Sequence, residues 1–290
     1  MNEVKGRWVL LVHGGAKQIE PDEEQANRDG CSEAVRVGSQ LLARGGSAVD
    51  AVEAAIRVLE RLPVFNAGFG SVLNAQGEVE MCAALMDGAT LDVGAVGAVM
   101  GVAHPVSAAR AMLRQEPVLL AGEGAFKFAR DNHVELAAPE SLVAAHRDEG
   151  HDTVGAVALD LNGNLAAGTS TGGLEEAAKG RMGDSPMPGC GFYADNKIGG
   201  VALSGHGEGI ARLAAAAQIM GAIGELGPEQ AIAKALSQME RVGGDAGGIA
   251  IASDGRSGWW HNSPNFAVGM ATSDAREPKL WLHKDEQQSD

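Results

Sequence analysis

The stretch His151-Asp152-Thr153-Val154-Gly155-Ala156-Val157-Ala158-Leu159-Asp160, in the middle of the chain, places Thr153 at the start of an apolar strand. An internal threonine hydroxyl is a weak nucleophile, because nothing beside it need accept its proton. Cleavage of the Asp152–Thr153 bond would give Thr153 an α-amine, whose ordinary pKa is about 7.7–8.0. That amine can act as general base for the hydroxyl of the same residue. The alternative is a threonine that merely begins a strand, and the motifs that follow it decide between the two.

The composition is that of a folded protein with an acidic surface. The 290 residues, 45% of them hydrophobic, can bury a substantial core and fit one large domain or two ordinary ones. The 38 acidic and 23 basic residues give a net charge of −15, whereas a ligand with a phosphate backbone would require a basic face. The sequence therefore predicts no nucleic-acid partner.

Targeting and redox signals are weak. The apolar run at residues 8–12 is too short for a signal core, and no segment reaches the roughly 18 apolar residues needed to span a bilayer. Cys31, Cys82 and Cys190 are odd in number and widely spaced, which fits neither a disulfide framework nor a zinc site. We therefore expect a cytoplasmic protein with buried thiols and no membrane partner.

The sequence of the first half predicts strands, three helices and a linker. Ser47 with Asp50 three residues later is a capping-box signature for the second helix. The polar, irregular residues 134–151 resemble a surface linker that tolerates cleavage. We predict strands at 8–12, 79–86 and 93–102, and helices at 29–43, from Ser47 onward, and at 105–115.

The second half also predicts strands and a pair of helices. Asn162-Gly163 between two apolar runs is a strong hairpin signal, and Asp254-Gly255 is another. Because neither half resembles a complete domain, we expect residues 1–290 to form one domain with helices flanking stacked sheets. The predicted strands are 154–161, 165–169, 198–203, 247–253 and 258–261, and the predicted helices are 208–223 and 228–241.

Two motifs after Thr153 carry candidate site residues. The sequence GTSTGG at 168–173 ends the strand that returns beside Thr153, so Thr171 can orient the nucleophile. A polar strand end is the alternative interpretation. In GRMGDSP at 180–186, Arg181 can grip an α-carboxylate with two hydrogen bonds while Asp184 binds an α-ammonium. The alternative there is a surface ion pair of little energetic value.

Two further motifs could complete such a site. In SGHG at 204–207, the Ser204 hydroxyl and the Gly205 amide could face a developing oxyanion. A phosphate loop is a weaker interpretation, because no dinucleotide-binding unit surrounds the motif. In the first half, the Gly-rich turn FNAGFGSVL at 65–73 contains Asn66, which could contribute a side-chain amide or could simply belong to a loop.

Together with HGGA at 13–16, FNAG at 65–68 and MDG at 86–88, these motifs make residues 8–275 resemble the plant-type asparaginase/isoaspartyl peptidase family of N-terminal-nucleophile hydrolases. The resemblance implies an α+β fold, a four-layer αββα sandwich. It also implies a precursor that cuts itself into an α subunit (1–152) and a β subunit (153–290) and works as a homodimer of αβ units.

The resemblance also implies a role for each site residue. Thr153 would be the nucleophile, formed by cleavage after Asp152, and no cofactor would be needed for catalysis. The family also binds a structural sodium through backbone carbonyls, here those of Leu59, Glu60, Phe65, Ala67 and Phe69. The remaining roles would be support of Thr153 by Thr171, substrate binding by Arg181, Asp184 and the Gly207 carbonyl, an oxyanion hole of Ser204 and Gly205, and a site-lining Asn66.

Four features depart from the family pattern, and one of them, Cys82 in place of an acidic residue, has no evident consequence for the chemistry. Asp152 stands where most asparaginases of this type have glycine. It is similar in this to the glycosylasparaginases and threonine aspartases, and it places a carboxylate beside the scissile bond. Ser204 stands where threonine is common, which keeps the hydroxyl but loses a methyl group. The linker before Asp152 also looks shorter than is typical. The other three departures bear on maturation and on how the Ser204 hydroxyl is aimed.

The predicted activity is hydrolysis of L-asparagine and of β-aspartyl dipeptides, so the expected partner is a small molecule or a dipeptide. A glycosylasparaginase is the first alternative: Asp152 favours it, whereas Gly172-Gly173 and the lack of a secretory signal oppose it. The second alternative is an uncut chain that serves as a binding protein.

Overall fold

The computed structural model describes residues 6–144, 153–275 and 277–289. These residues form seven α-helices and twelve strands. The helices are α1 (Glu24–Ala43), α2 (Ala48–Arg61), α3 (Pro105–Met112), α4 (Gly122–Asp131), α5 (Gly207–Leu213), α6 (Ala215–Leu226) and α7 (Pro228–Leu236). The strands are β1 (Val9–Lys17), β2 (Met81–Asp87), β3 (Asp92–Val99), β4 (Leu119–Ala121), β5 (Val154–Leu159), β6 (Leu165–Thr171), β7 (Phe192–Asp195), β8 (Gly199–Gly205), β9 (Ala246–Ala252), β10 (Ser257–His261), β11 (Asn265–Thr272) and β12 (Lys279–Trp281).

The strands make two sheets. The larger one has the order β12-β11-β1-β5-β6-β2-β3-β4 and mixes strands from both halves of the chain. Its pairings are antiparallel except for β3 with β4. The smaller sheet has the order β10-β9-β8-β7 and comes entirely from the second half. Because β1 lies between β11 and β5, neither half of the chain could complete the larger sheet alone.

Three clusters of buried side chains show the layering. One joins the larger sheet to α1, α2 and α3, a second fills the space between the two sheets, and a third joins the smaller sheet to α6 and α7. The order is therefore helices, sheet, sheet, helices, which confirms the predicted αββα sandwich. No helix within the described ranges is long and apolar enough to cross a membrane.

The pleat of β5 and β6 determines which side chains face the space between the sheets. Val154 pairs with Ser170, and Val154 packs in the helix-side cluster, whereas Val157 and Ala167 pack between the sheets. Side chains alternate along a strand, so Thr153, which precedes β5, and Thr171 at the end of β6 both face the inter-sheet side. The nucleophile candidate therefore lies at one end of the layer between the two sheets.

Most predicted elements are present. The Asn162-Gly163 hairpin joins β5 to β6, and the Ser47 side chain accepts a hydrogen bond from the Asp50 amide, as the capping box predicts. Residues 145–152 of the predicted linker lie outside the described residues. The described part of the linker forms bridges through Leu136 and Val143.

The predicted helix over 208–223 is wrong as a single element. It breaks at Ala214, whose φ of 47° is left-handed, and continues as α6. Near the start of α6, the Ala217 N–H donates to the Gly189 carbonyl (2.9 Å) and the Ala216 N–H donates to the Cys190 carbonyl (3.0 Å). These long-range hydrogen bonds outweigh the helical propensity of the alanine-rich segment. The second helix also ends earlier than predicted, at Leu236, and passes into a 3-10 turn.

Candidate active site

Thr153 is the point at which the sheets and several motifs meet. Thr153 is 6% exposed, and its position just before β5 places it opposite Thr171 at the end of β6. Both residues line a pocket with a free volume of about 20 Å³, enough for one water. The other lining residues are Gly173, Leu174, Arg181, Gly183, Asp184, Ser185, Gly205 and Gly207. Five of the predicted site residues thus surround Thr153 in one pocket.

The Thr153 hydroxyl lies within hydrogen-bond distance of a second hydroxyl. Its Oγ1 is 3.1 Å from Ser185 Oγ, and Ser185 is buried. The Thr169 hydroxyl fixes the Ser185 backbone by donating to its carbonyl over 2.7 Å. The T-S-T motif therefore contributes through Thr169 as well as Thr171, because Thr169 holds the residue that contacts the nucleophile.

The other sheet contributes Ser204, near the end of β8. Its Oγ accepts hydrogen bonds from the Thr153 backbone N–H (3.2 Å) and from the Ala16 N–H (3.0 Å). A hydroxyl oxygen has two acceptor positions and one proton. With both acceptor positions taken, the Ser204 proton must point away from both amides. The two amides therefore aim the hydroxyl, which compensates for the methyl group that a threonine would supply.

Arg181 is held on a loop beside the pocket. The Glu80 carboxylate accepts from the Gly180 N–H over 2.7 Å, which anchors the loop just before the arginine. The guanidinium donates to Glu208 through Nε (2.8 Å) and Nη2 (2.7 Å). That ion pair lowers the pKa of Glu208 to about 2. Arg181 is thus already paired with a carboxylate of the chain itself.

Asp184 is a buried acid at the pocket, 3% exposed. Its Oδ2 has no hydrogen-bond partner among the described residues. Burial raises its pKa to about 7, against the opposing effects of nearby amides and of Arg181. A carboxylate that is desolvated and unpaired can gain strongly from a cation, so it suits an ammonium group.

Two glycines are required where the motifs place them. A Cβ on Gly207 would lie 2.8 Å from Asp184 Oδ1 and 3.2 Å from Arg181 Nη2. Gly205 has a φ of +137°, and a Cβ there would lie 2.2 Å from the Asp245 carbonyl oxygen. Any side chain at either position would disturb the wall of the pocket.

Asn66 supports the pocket from beneath. Its Nδ2 donates to the Gly173 carbonyl over 2.8 Å, and its backbone carbonyl accepts from the Gly172 N–H over 2.8 Å. Asn66 is not among the residues that line the pocket. The geometry gives it a positioning role on the turn that follows Thr171, and a role for its amide in the chemistry stays a prediction.

His13 lies beneath the start of β5. It is completely buried, and burial lowers its pKa to about 3. Its ring approaches the Thr153 backbone, yet neither ring nitrogen has a partner of good geometry among the described residues. A Cβ on Gly155 would lie 2.3 Å from His13 Nε2, so glycine is needed where the ring packs against β5. A neutral histidine thus supports the backbone next to the nucleophile.

The loop predicted to hold sodium begins inside α2, which contains Leu59 and Glu60. Gly68 has a φ of +55°, and a Cβ on it would lie 2.4 Å from the Glu60 carbonyl oxygen, so the loop folds back tightly on the end of the helix. The carbonyls of Phe65 and Ala67 each accept one backbone hydrogen bond (2.9 and 3.1 Å) and keep a second lone pair. A carbonyl oxygen with a free lone pair is a type of ligand that a hard cation prefers.

The side chains of the described residues offer no comparable metal site. No group of three or more His, Cys, Asp or Glu residues in the described part of the chain could hold a metal ion. The Glu60 carboxylate in particular is occupied, because it accepts from the Ser170 hydroxyl (2.7 Å) and the Val106 N–H (2.9 Å) and contacts His104 Nδ1 (3.0 Å). Any cation at this loop would therefore depend on backbone oxygens.

Sequence reasoning missed four contributors to the site: Ser185, Glu208, His13 and the Ala16 amide. Ser185 and His13 stand inside the GRMGDSP and HGGA motifs, but nothing in the sequence indicates which residues of these motifs face the pocket. Glu208 follows Gly207 directly, and its negative charge near Arg181 was the one available signal. Asp152 lies outside the described residues, so its predicted role at the scissile bond stays a prediction.

Comparison with known proteins identifies the family of the chain. A family model described as asparaginase matches residues 6–150 and 142–279. An isoaspartyl peptidase/L-asparaginase of Danio rerio is 45% identical over 269 residues, which cover 85% of this chain and 86% of the relative. The proteins of the same name from Xenopus laevis (41% over 267 residues; 85% and 86%) and Homo sapiens (45% over 225 residues; 71% and 73%) are also similar. The chain belongs to the asparaginase family.

Proposed function

We propose that the chain is an autoprocessed threonine amidohydrolase that cleaves L-asparagine and β-aspartyl (isoaspartyl) dipeptides. The observation that carries the proposal is the position of Thr153, with its hydroxyl beside Ser185 and its N–H on Ser204, in one pocket with Arg181 and Asp184. The relatives named isoaspartyl peptidase/L-asparaginase cover most of the chain and support the same activity.

The first step is maturation. The Thr153 hydroxyl attacks the carbonyl carbon of Asp152, the acyl group moves from nitrogen to oxygen, and water then hydrolyses the resulting ester. This reaction leaves residues 1–152 as one subunit and residues 153–290 as the other. The new Thr153 amine inherits the position of the amide, next to Ser204 Oγ. The larger sheet takes β1, β2 and β3 from the first subunit and β5 and β6 from the second. The two subunits would therefore remain together after cleavage.

The second step is hydrolysis of the substrate. The Thr153 amine accepts the proton of its own hydroxyl, whose oxygen attacks the side-chain amide carbon of the substrate. Ser204 and Gly205 stabilise the negatively charged oxygen of the tetrahedral intermediate. The amine returns the proton to the leaving nitrogen, which departs as ammonia or as the amine of the second amino acid. Water then hydrolyses the β-aspartyl ester on Thr153 and regenerates the enzyme.

Arg181 and Asp184 would fix the other end of the substrate. Arg181 binds the α-carboxylate, and Asp184 with the Gly207 carbonyl binds the α-ammonium. No cofactor takes part in these steps. A sodium ion on the Leu59–Phe69 carbonyls would be structural, since it would hold the loop that carries Asn66, which in turn supports Gly173.

Two further expectations belong to the same proposal. A homodimer of αβ units is expected from the family resemblance. A cytoplasmic location is supported by the number and spacing of the cysteines, and burial raises the pKa of the Cys82 thiol to about 11, as suits an unreactive thiol.

A panel of substrates tests the activity. The purified protein is first examined on a denaturing gel for cleavage. It is then given L-asparagine, a β-aspartyl dipeptide and an N4-glycosylated asparagine, and the release of ammonia or of the free amine is measured. We expect turnover of the first two at rates well above that of the third. Turnover of the glycosylated compound alone would assign the glycosylasparaginase activity that Asp152 favours. If the chain stays uncut and hydrolyses none of the three compounds, the result would favour the binding-protein alternative.

A further inference from the structure

The ion pair between Arg181 and Glu208 uses only one edge of the guanidinium. An arginine side chain carries five N–H groups, and two adjacent ones can bind a carboxylate together. Glu208 takes the edge formed by Nε and Nη2. The opposite edge, formed by Nη1 and the second N–H of Nη2, donates to nothing within the described residues.

The surroundings of the guanidinium keep that second edge accessible. A Cβ on Gly183 would lie 3.2 Å from Arg181 Nη2 and 3.4 Å from Nη1, and a Cβ on Gly207 would lie 3.2 Å from Nη2. Both glycines line the same pocket as Thr153. The guanidinium therefore rests against two residues without side chains, so no side chain at positions 183 and 207 stands between its second edge and the pocket.

Glu208 is well suited to positioning and poorly suited to stabilising the fold. The hydrogen bonds from Arg181 lower the pKa of Glu208 to about 2, so it is ionised at neutral pH. Its side chain is 47% exposed, and exposed ion pairs contribute little to the free energy of unfolding. A bidentate contact at such a place restricts the direction of the arginine, whose long side chain otherwise has many rotamers.

We propose that Glu208 is a positioning residue for substrate binding: it holds the Nε–Nη2 edge of Arg181 so that the Nη1–Nη2 edge faces the pocket and takes the α-carboxylate of the substrate. This inference rests on the proposed function. It makes Glu208 responsible for the preference for substrates with a free α-carboxylate, although Glu208 itself never touches the substrate. In the opposite role, Glu208 would compete with the substrate for Arg181, and the α-carboxylate of the substrate would have to displace it.

The two roles predict opposite changes in KM. Without a positioning residue, Arg181 loses its orientation and KM for L-asparagine rises. Without a competitor, Arg181 becomes free and KM falls. In neither case does Glu208 contact Thr153, so kcat and cleavage at Thr153 are expected to stay within about twofold of those of the natural protein, because no interaction unique to the transition state is lost.

The experiment is a double-mutant cycle on KM and kcat, with the fully processed protein and its Glu208→Ala, Arg181→Ala and Glu208→Ala/Arg181→Ala variants. Glu208→Gln serves as the nearly isosteric second variant. Glu33→Ala, which removes an exposed Arg–Glu pair between α1 and α2, is the matched control. Each variant is also given the α-carboxamide of L-asparagine, which lacks the negative charge that Arg181 binds.

For Glu208→Ala we expect KM for L-asparagine to rise about tenfold, the scale of one hydrogen bond to a charged group. Its preference for L-asparagine over the α-carboxamide should fall by a similar factor. In the Arg181→Ala background, removing Glu208 should change KM no further, because the two residues act as a unit. An unchanged or lower KM in Glu208→Ala, or additive effects, would overturn the inference. A natural protein that hydrolyses neither L-asparagine nor a β-aspartyl dipeptide would instead overturn the proposed function.

Discussion

The backbone N–H of Thr153 donates a hydrogen bond of 3.2 Å to Oγ of Ser204, and this contact joins the two sheets at the pocket. Thr153 lies just before β5, a central strand of the larger sheet, whereas Ser204 lies on the smaller sheet. The nitrogen that donates in the uncut chain is the one that becomes the catalytic amine after cleavage. The same serine hydroxyl can therefore orient the nitrogen in both states and donate its proton to an oxyanion.

Replacing Ser204 should impair catalysis far more than folding. In Ser204→Ala the oxyanion loses a donor, and the N–H groups of Thr153 and Ala16 lose their acceptor. We expect kcat for L-asparagine to fall about 10²–10³-fold, the usual effect of removing one oxyanion-hole donor. Ser204→Thr is the matched control, because it restores the hydroxyl. A Ser204→Ala enzyme with kcat within threefold of the natural one would show that the hydroxyl has no such role.

Ser185 should have a smaller effect. Ser185→Ala removes the hydroxyl that lies 3.1 Å from Thr153 Oγ1. One hydrogen bond contributes about 1 kcal/mol, so we expect kcat and the rate of self-cleavage to fall about five- to tenfold. Ser237→Ala, which removes an exposed hydroxyl at the end of α7, provides the comparison. Equal rates in the two variants would mean that the Ser185 contact does not orient the nucleophile.

The buried acid predicts a pH dependence of substrate binding. Asp184 must be ionised to pair with an ammonium group, and its pKa is raised to about 7. We therefore expect KM for L-asparagine to fall as the pH rises through about 7. In Asp184→Asn, KM should be higher and nearly independent of pH between about 6 and 8, since the amide does not titrate there. Steady-state kinetics over this range measure both profiles, and a variant that keeps the natural pH dependence of KM would assign that dependence to another group.

His13 predicts a pH dependence of stability. In the unfolded chain a histidine binds a proton below about pH 6.5. In the folded protein, burial delays that protonation until about pH 3. Between these values the unfolded state binds more protons, so His13 lowers the free energy of unfolding as the pH falls, by up to about 1.4 kcal/mol per pH unit.

Denaturant unfolding of His13→Gln measures this contribution. Between about pH 4 and 6, the free energy of unfolding of the variant should fall less steeply on acidification than that of the natural protein. The difference in slope is the readout, because the substitution also removes packing and shifts the curve as a whole. Exposed His133→Gln should keep the natural slope. Equal slopes for the natural protein and His13→Gln would mean that His13 is not held neutral.

The parts of the site that the sequence predicts are those governed by local rules. The Asn162-Gly163 turn sets the register of β5 and β6, and that register places Thr171 opposite Thr153. The placement of Arg181 and Asp184 on the wall of one pocket likewise follows from their spacing on a single loop. In both cases a few neighbouring residues determine the geometry.

The remaining parts depend on contacts between distant segments. Ser204 reaches Thr153 only because the two sheets pack face to face, and its second donor, Ala16, is 188 positions away. The break at Ala214 depends in the same way on carbonyls from the loop at residues 189–190. Hydrogen bonds of this kind leave no periodicity in the sequence, so the side chain that Ser185 or Glu208 contacts could be found only in the folded structure.

The most direct test of the central claim is the intact mass of the purified protein and of its Thr153→Ala variant, measured alongside L-asparagine hydrolysis. We predict that the natural protein separates under denaturing conditions into residues 1–152 and 153–290, with Thr153 as the new N-terminus, and releases ammonia. Thr153→Ala should remain one chain of 290 residues and release none. A Thr153→Ala protein that is cleaved at this bond, or that hydrolyses L-asparagine at the natural rate, would contradict the account.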